Sequence, residues 1–226
     1  QDEIADGKDR LVVAPTGSGK TMAAILPLLD RCLREEWVGM SILYITPLRA
    51  LNRDVDRRLE EITSAVGLTL GLRHGDTPQS ERNKHVRKPP NVMITTPETF
   101  QLMFTGSRLR ELLRTVKAVV IDEIHEIADG ERGWQLSVGL SRLEAFKGSP
   151  IQKVGLSATI GNPDQVAKWL SKDAQPIVAI APRYTELSVD AIIQTPEDEI
   201  GSLELAISPR AHATLRGLAD IISKRN

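Results

Sequence analysis

Short runs of aliphatic and β-branched residues recur along this chain, separated by longer stretches with helical spacing, and that alternation confines it to one fold class. The runs are residues 11–13, 42–45, 68–72, 92–95, 117–121, 153–156 and 176–180. Most are nearly continuous in apolar residues, as strands are when helices cover both faces of a sheet. Between them, Leu48, Leu51, Val55, Leu59 and Ile62 recur at helical spacing, and so do Leu136, Leu140 and Leu143. The pattern predicts an α/β domain with a mostly parallel sheet covered by helices on both faces. The polar stretch 195–199 reads as a linker. Ser208-Pro209 then reads as a helix cap, opening a helix with Leu215, Leu218, Ile221 and Ile222 on one side. The expected division is a domain at 1–194, with a linker and the start of a truncated second domain at 195–226.

Composition removes several alternatives. A hydrophobic share of 41% and a charged share of 26% exclude fibrous and disordered chains. With 29 Lys+Arg against 30 Asp+Glu, any binding of a polyanion must come from a local basic face. The longest apolar stretch, 22–29, is interrupted by Pro27, so no membrane partner is expected. A single cysteine, Cys32, allows no internal disulfide, which favours a reducing, cytoplasmic location with the thiol as a small buried residue. The chain opens at Gln1 rather than methionine, so its native N-terminus is expected to be missing or processed.

Ala14-Pro15-Thr16-Gly17-Ser18-Gly19-Lys20-Thr21 lies between the run 11–13 and a helix expected to start at Thr21. A strand, a glycine-bearing loop and a helix in that order make a phosphate-binding loop. Gly17 and Gly19 let backbone N–H groups turn inward around phosphate oxygens, and the helix N-terminus adds its positive dipole end. Lys20 would reach the β- and γ-phosphates of ATP, and Thr21 would offer its hydroxyl to Mg²⁺. Ala14 stands where the generic motif has glycine. Asp122-Glu123-Ile124-His125 directly follows the run 117–121. A carboxylate at that strand end, facing the loop, can hold Mg²⁺, and a second beside it can polarise an attacking water.

Together with Ser157-Ala158-Thr159, Thr46-Pro47-Leu48-Arg49-Ala50-Leu51 and Thr95-Thr96-Pro97-Glu98, these segments resemble motifs I, II, III, Ia and Ib of superfamily 2 helicases, in that family's order. The surroundings, Arg73-His74-Gly75-Asp76-Thr77-Pro78 and residues 156–163, resemble the large helicase-related (Lhr-type) branch near the Ski2-like helicases. That family commonly begins its loop with alanine, which accounts for Ala14. The resemblance implies ATP and Mg²⁺ as cofactors, with Glu123 as the water-activating residue, Asp122 as the Mg²⁺ partner and Lys20 on the phosphates. It implies that His125, Ser157 and Thr159 link the nucleotide to a nucleic-acid face. The family's adenine-reading glutamine lies upstream of the loop; Gln1 stands nearer the loop than the usual spacing and is left unassigned.

Thr46-Pro47 and Thr96-Pro97 also carry a reading of their own. A strand ending in Thr followed by Pro makes a capped helix start whose free N–H groups can seat a backbone phosphate, with Arg49 adding a charge-assisted contact beside the first. Plain capping is the alternative, and for Asn162-Pro163 it is preferred. His74, Asp76, Asp122 and His125 match no local zinc spacing. Arg73, Arg82, Lys84, Arg87 and Lys88 read as a solvated face rather than a nucleic-acid path. Nothing in residues 171–226 resembles the arginine-containing motif VI of the family's second RecA-like domain. The expected function is therefore Mg-ATP hydrolysis coupled to movement on DNA or RNA, in a fragment nearly inactive by itself. The rivals are a non-hydrolysing nucleic-acid-binding or scaffolding module and a small-molecule kinase.

Overall fold

The structure is a computed structural model that describes residues 2–47, 53–179 and 191–223. The chain divides into two compact units, Gln1–Ala181 and Pro182–Asn226.

The first unit begins with a short helix, α1 (Asp2–Ala5), and then alternates strand and helix. The elements are β1 (Arg10–Val13), α2 (Lys20–Arg34), β2 (Ile42–Ile45), α3 (Arg53–Ala65), β3 (Leu70–Arg73), α4 (Gln79–Arg87), β4 (Val92–Thr95) and α5 (Pro97–Met103), followed by α6 (Ser107–Leu112), β5 (Ala118–Ile121), α7 (Ile124–Ile127), α8 (Glu131–Lys147), β6 (Gln152–Ser157), α9 (Pro163–Leu170) and β7 (Gln175–Val178). Among the described residues the strands form one seven-stranded sheet in the order β3-β4-β2-β5-β6-β1-β7, and every pairing is parallel. Each apolar run picked out in the sequence holds a strand, with ends shifted by a residue or two. Leu48, Leu51 and Ile180 lie outside the described residues.

Strand position explains composition. The five inner strands β1, β2, β4, β5 and β6 are buried along their whole length, whereas the edge strands β3 and β7 are only partly covered. Pro176, which has no N–H for a second neighbour, sits on the edge strand β7. Alternate residues feed two cores. Leu11, Val13, Leu43, Ile45, Val119 and Ile121 pack with Phe100, Leu136, Leu140 and Leu143 on one face. Val12, Ile42, Tyr44, Ile94, Val120 and Leu156 pack with Ile25 and Leu28 of α2 and Leu59 of α3 on the other. Cys32 belongs to this second core, 2% exposed, with its Sγ 3.5 Å from Ser41 Oγ.

In the second unit the stretch expected to be a linker is helical. Residues 195–199 open a helix, α10 (Pro196–Glu204), with Thr195 at the N-cap and Pro196 in the first turn. Asp198 Oδ2 accepts from the Thr195 backbone N–H at 2.8 Å and from its hydroxyl at 3.0 Å. A polar, acidic, proline-bearing stretch has the composition of both a linker and a capped helix start, and long-range partners decide between them. Here those partners come from α11 (Pro209–Ser223). Arg216 donates to Asp198 through Nε at 3.0 Å and Nη2 at 2.9 Å, and His212 Nδ1 lies 2.8 Å from its Oδ1. Arg216 foremost, then the Thr195 backbone N–H and His212, hold the Asp198 carboxyl well below the usual carboxylate range. Ser208 caps α11 as the sequence indicates, its Oγ accepting from Ala211 N at 3.2 Å. Leu215, Leu218, Ile221 and Ile222 are exposed on that helix. Among the described residues, no helix is long and apolar enough to cross a membrane.

Candidate nucleotide and nucleic-acid site

In a parallel sheet all carboxyl ends face one way, so strand order alone lines up the loops that follow them. Because β6 lies between β1 and β5, Ser157 at its end stands between the loop 14–21 and the segment 122–125. Beyond β5 come β2, which Thr46 directly follows, and β4, which ends at Thr95. The candidate residues thus form one row along a single edge, with the phosphate-loop residues at one end and the Thr-Pro pairs at the other.

The loop 14–21 is anchored by Ala14, 4% exposed, whose N–H donates to the Ser157 carbonyl at 3.2 Å. Pro15 accepts from Ser18 N at 3.2 Å, closing a turn. Gly17 and Gly19 have φ of +77° and +87°. A Cβ on Gly19 would meet nothing within 4 Å, so glycine is required there by backbone conformation and not by space. The helix starts at Lys20, one residue before the expected position. Lys20 is buried, and its ammonium donates to the Ala14 carbonyl at 2.9 Å.

Asp122 is held from two sides. Tyr44, fully buried on β2, donates its hydroxyl to Oδ2, and the Glu123 N–H donates to Oδ1 at 2.9 Å. Burial first, then the Asp122 charge, raises the Tyr44 pKa well above its ordinary value, so the phenol keeps its proton and acts as a donor. Glu123 adopts φ +45°, left-handed backbone that a side-chain-bearing residue accepts at a cost of about 1–3 kcal/mol. Burial, followed by the neighbouring Asp122, raises the Glu123 pKa, while the charges of Lys20 and His125 pull it back. His125 Nδ1 lies 3.5 Å from Glu123 Oε2 and 3.2 Å from Ser157 Oγ, so it joins its own segment to the end of β6. Thr159, two residues on, is exposed. The hydroxyl of Thr21 and the carboxylate of Asp122 are hard oxygen donors of the kind that Mg²⁺ takes.

The Thr-Pro pairs resolve differently. Thr96 caps α5: its Oγ1 accepts from Thr99 N at 3.3 Å, and Pro97 follows in the first turn. Asn162 caps α9 in the same way, accepting from Gln165 N at 3.2 Å, in agreement with the capping reading. Thr46 and Thr95 are 2% and 0% exposed, and both Oγ1 atoms are buried without a hydrogen-bond partner among the described residues. Thr46 N donates to the Thr95 carbonyl at 3.0 Å, so the two strand ends are joined. Pro47 is buried; Arg49 and Gln1 lie outside the described residues. His74 and Asp76 follow β3, and β4 and β2 separate that strand from β5, so the structure does not bring them to Asp122 and His125.

Two residues escaped the sequence reading. Tyr44 was one aliphatic-strand residue among several, although a buried phenol needs a partner for its hydroxyl. Arg73 was grouped with a solvated face, yet it is 7% exposed; Lys84, Arg87 and Lys88 are exposed as that reading expects. A cleft of about 980 Å³ opens elsewhere, among Lys8, Trp37, Lys117, Glu144 and Trp169, and none of the motif residues lines it.

A family profile described as DEAD/DEAH box helicase matches residues 2–166. The chain is 39% identical over 216 residues to the Lhr helicase/probable uracil glycosylase of Mycolicibacterium smegmatis, covering 89% of this chain and 14% of that protein. To the Lhr helicase/uracil glycosylase of Escherichia coli it is 38% identical over 235 residues, covering 94% of this chain and 15% of that protein. It thus spans about one seventh of the length of these relatives. Among solved structures, the Mycobacterium smegmatis helicase Lhr bound to ssDNA and AMP-PNP superposes with a TM-score of 0.68 at 39% identity, covering 80% of this chain and 25% of that one. With its fold, its row of motifs and its similarity to Lhr helicases, the chain belongs to the DEAD/DEAH box helicase family.

Proposed function

We propose that this chain is the ATP-binding half of a superfamily 2 motor that hydrolyses Mg-ATP to move along nucleic acid. The observation that carries the reading is the single sheet edge that Lys20, Asp122 and Glu123 share, with Asp122 held by the Tyr44 hydroxyl and the Glu123 N–H. Lys20 and the loop 14–21 bind the phosphates. Thr21 and Asp122 hold Mg²⁺, which when bound neutralises charge on the phosphate oxygens. Glu123 orients and polarises the attacking water. His125, Ser157 and Thr159 couple that centre to the strand ends, where Thr46, Pro47 and Arg49, together with Thr95, Thr96 and Pro97, contact the phosphate backbone.

Phosphoryl transfer needs charge stabilisation on both sides of the γ-phosphate. In this reading a second RecA-like domain of the same parent supplies the other side, and residues 195–226 begin the passage towards it, with the exposed apolar side of α11 available for packing. The isolated chain binds ATP but turns it over very slowly. The buried Cys32 thiol fits a reducing, cytoplasmic setting.

Calorimetry with Mg-ATP tests the reading. Lys20→Ala removes charge-assisted contacts to phosphate and should weaken binding by about 10- to 100-fold. Equal affinity for the two proteins would overturn the assignment.

A further inference from the structure

Arg73 ends β3 at the free edge of the sheet, in register with Thr95 on β4. Residues in register on parallel neighbours project to the same face, so its side chain enters the layer formed by the following helices. There it lines a pocket of about 310 Å³ between α4 and α6, together with Arg82 and Asn83 of α4 and Ser107 and Arg108 of α6. Among the described residues no acidic side chain lines this pocket.

Each arginine stands differently. Arg82 is committed to the fold, its Nε donating to the Thr77 carbonyl at 2.8 Å and its Nη2 to those of His74 and Gly75 at 3.1 and 2.5 Å. Arg108 is exposed and has no partner among the described residues. Arg73 is 7% exposed, and its one hydrogen bond is Nη1 to the Arg82 carbonyl at 3.5 Å, the outer limit for such a bond. Among the described residues no carboxylate pairs with it. Burial, then the charge of Arg82, makes its proton less tightly held, but a guanidinium does not give it up in a protein. A buried cation without a counter-charge is expensive, and one stretched bond to a carbonyl does not offset it. Among the described residues none supplies the counter-charge, which leaves the position open to an anionic ligand.

We propose that this pocket seats a backbone phosphate of the nucleic-acid strand, extending the path from Thr46 and Thr95 across the β3 edge onto α4 and α6. The inference rests on the nucleic-acid reading above. It replaces the solvated-face reading for Arg73, and it assigns Arg82 the role of fixing the loop beside the pocket. The shared chemistry is a phosphate group; free inorganic phosphate is the other source to be distinguished.

The test uses this chain and a fluorescent single-stranded oligonucleotide, with anisotropy followed across a salt series. Arg108→Ala and Arg73→Met should each weaken binding about tenfold and lower the slope of log affinity against log salt by about 0.7. An oligonucleotide with neutral methylphosphonate linkages should not distinguish the variants from the wild type. Arg73→Met should also melt at a higher temperature than the wild type, because it removes an uncompensated buried charge while keeping its shape. Variants that match the wild type in affinity and salt slope would overturn the subsite while leaving nucleic-acid binding intact. Stabilisation of the wild type by inorganic phosphate, lost in Arg108→Ala while oligonucleotide affinity stays the same, would assign the pocket to a free anion instead. A lower melting temperature for Arg73→Met with unchanged oligonucleotide affinity would make the residue purely structural. If the wild type bound no oligonucleotide at all, the nucleic-acid reading itself would fall, and this subsite with it.

Discussion

The two halves of the sheet's carboxyl edge treat their polar groups in opposite ways. In the half formed by β1, β6 and β5, polar groups find partners within the chain: Lys20 on the Ala14 carbonyl, Asp122 on the hydroxyl of Tyr44 from neighbouring β2, His125 on Ser157. In the half formed by β2, β4 and β3, Thr46 and Thr95 keep buried hydroxyls without a partner among the described residues and Arg73 keeps a buried charge without a counter-ion there. Most buried polar groups in folded proteins are hydrogen-bonded, so an accumulation of exceptions in one place needs a reason. In the proposed reading the first half is organised in advance for chemistry, where misplacement of a reacting group is costly. The second leaves polar groups unpaired beside the proposed nucleic-acid path.

The largest effect bears on what the organised half lacks. An arginine supplied from a facing domain is worth about 10³ to 10⁵ in rate. Extending the chain through the next domain should raise ATP turnover by that order, measured at the same nucleic-acid and ATP concentrations. Robust nucleic-acid-stimulated turnover by the 226 residues alone would break the comparison, because the first half would then be complete by itself.

Next in size is Glu123→Gln in the two-domain protein. It should keep Mg-ATP binding and lose about 10² to 10⁴ in turnover, read as unchanged nucleotide affinity beside a collapsed rate. The pH dependence carries a sign. A carboxyl with a raised pKa is ionised, and able to polarise water, only above that value, so turnover should fall on the acid side at a pH above the ordinary 4.5 of glutamate. The same shift means that the ionised form is disfavoured in the folded state. That cost is fully present above the folded pKa and relieved as pH falls through it. Glu123→Gln should therefore melt at a higher temperature than the wild type near neutral pH, and a lower one would show that the charge supports the fold.

The smallest effects contrast the two halves directly. Tyr44→Phe removes the donor from a buried carboxylate and should cost about 1–3 kcal/mol in denaturant unfolding. Thr95→Val removes a buried hydroxyl that has no partner among the described residues, and should be neutral or slightly stabilising. A Thr95→Val loss as large as that of Tyr44→Phe would show that both halves are organised alike.

Much of the fold and of the nucleotide site is legible in the sequence alone. Continuous apolar runs place the inner strands, because burial on both faces demands it, and Gly17, Gly19 and Lys20 mark the loop, because its backbone geometry and its charge need those residue types at that spacing. These are local requirements, satisfied by neighbours in the chain. The tertiary structure decided the rest. Tyr44 and Asp122 lie 78 residues apart and meet only because β5 pairs with β2. Arg73 is indistinguishable by composition from exposed neighbours such as Arg87, and it becomes a buried cation only where α4 and α6 close over the sheet edge. Residues 195–199 have a linker's composition and open a helix through the partners that Arg216 and His212 provide to Asp198. A linear pattern records which residues can form an element and which chemistry a loop can carry. Which polar groups find partners depends on strand order and helix packing, so it was settled only when the chain closed on itself.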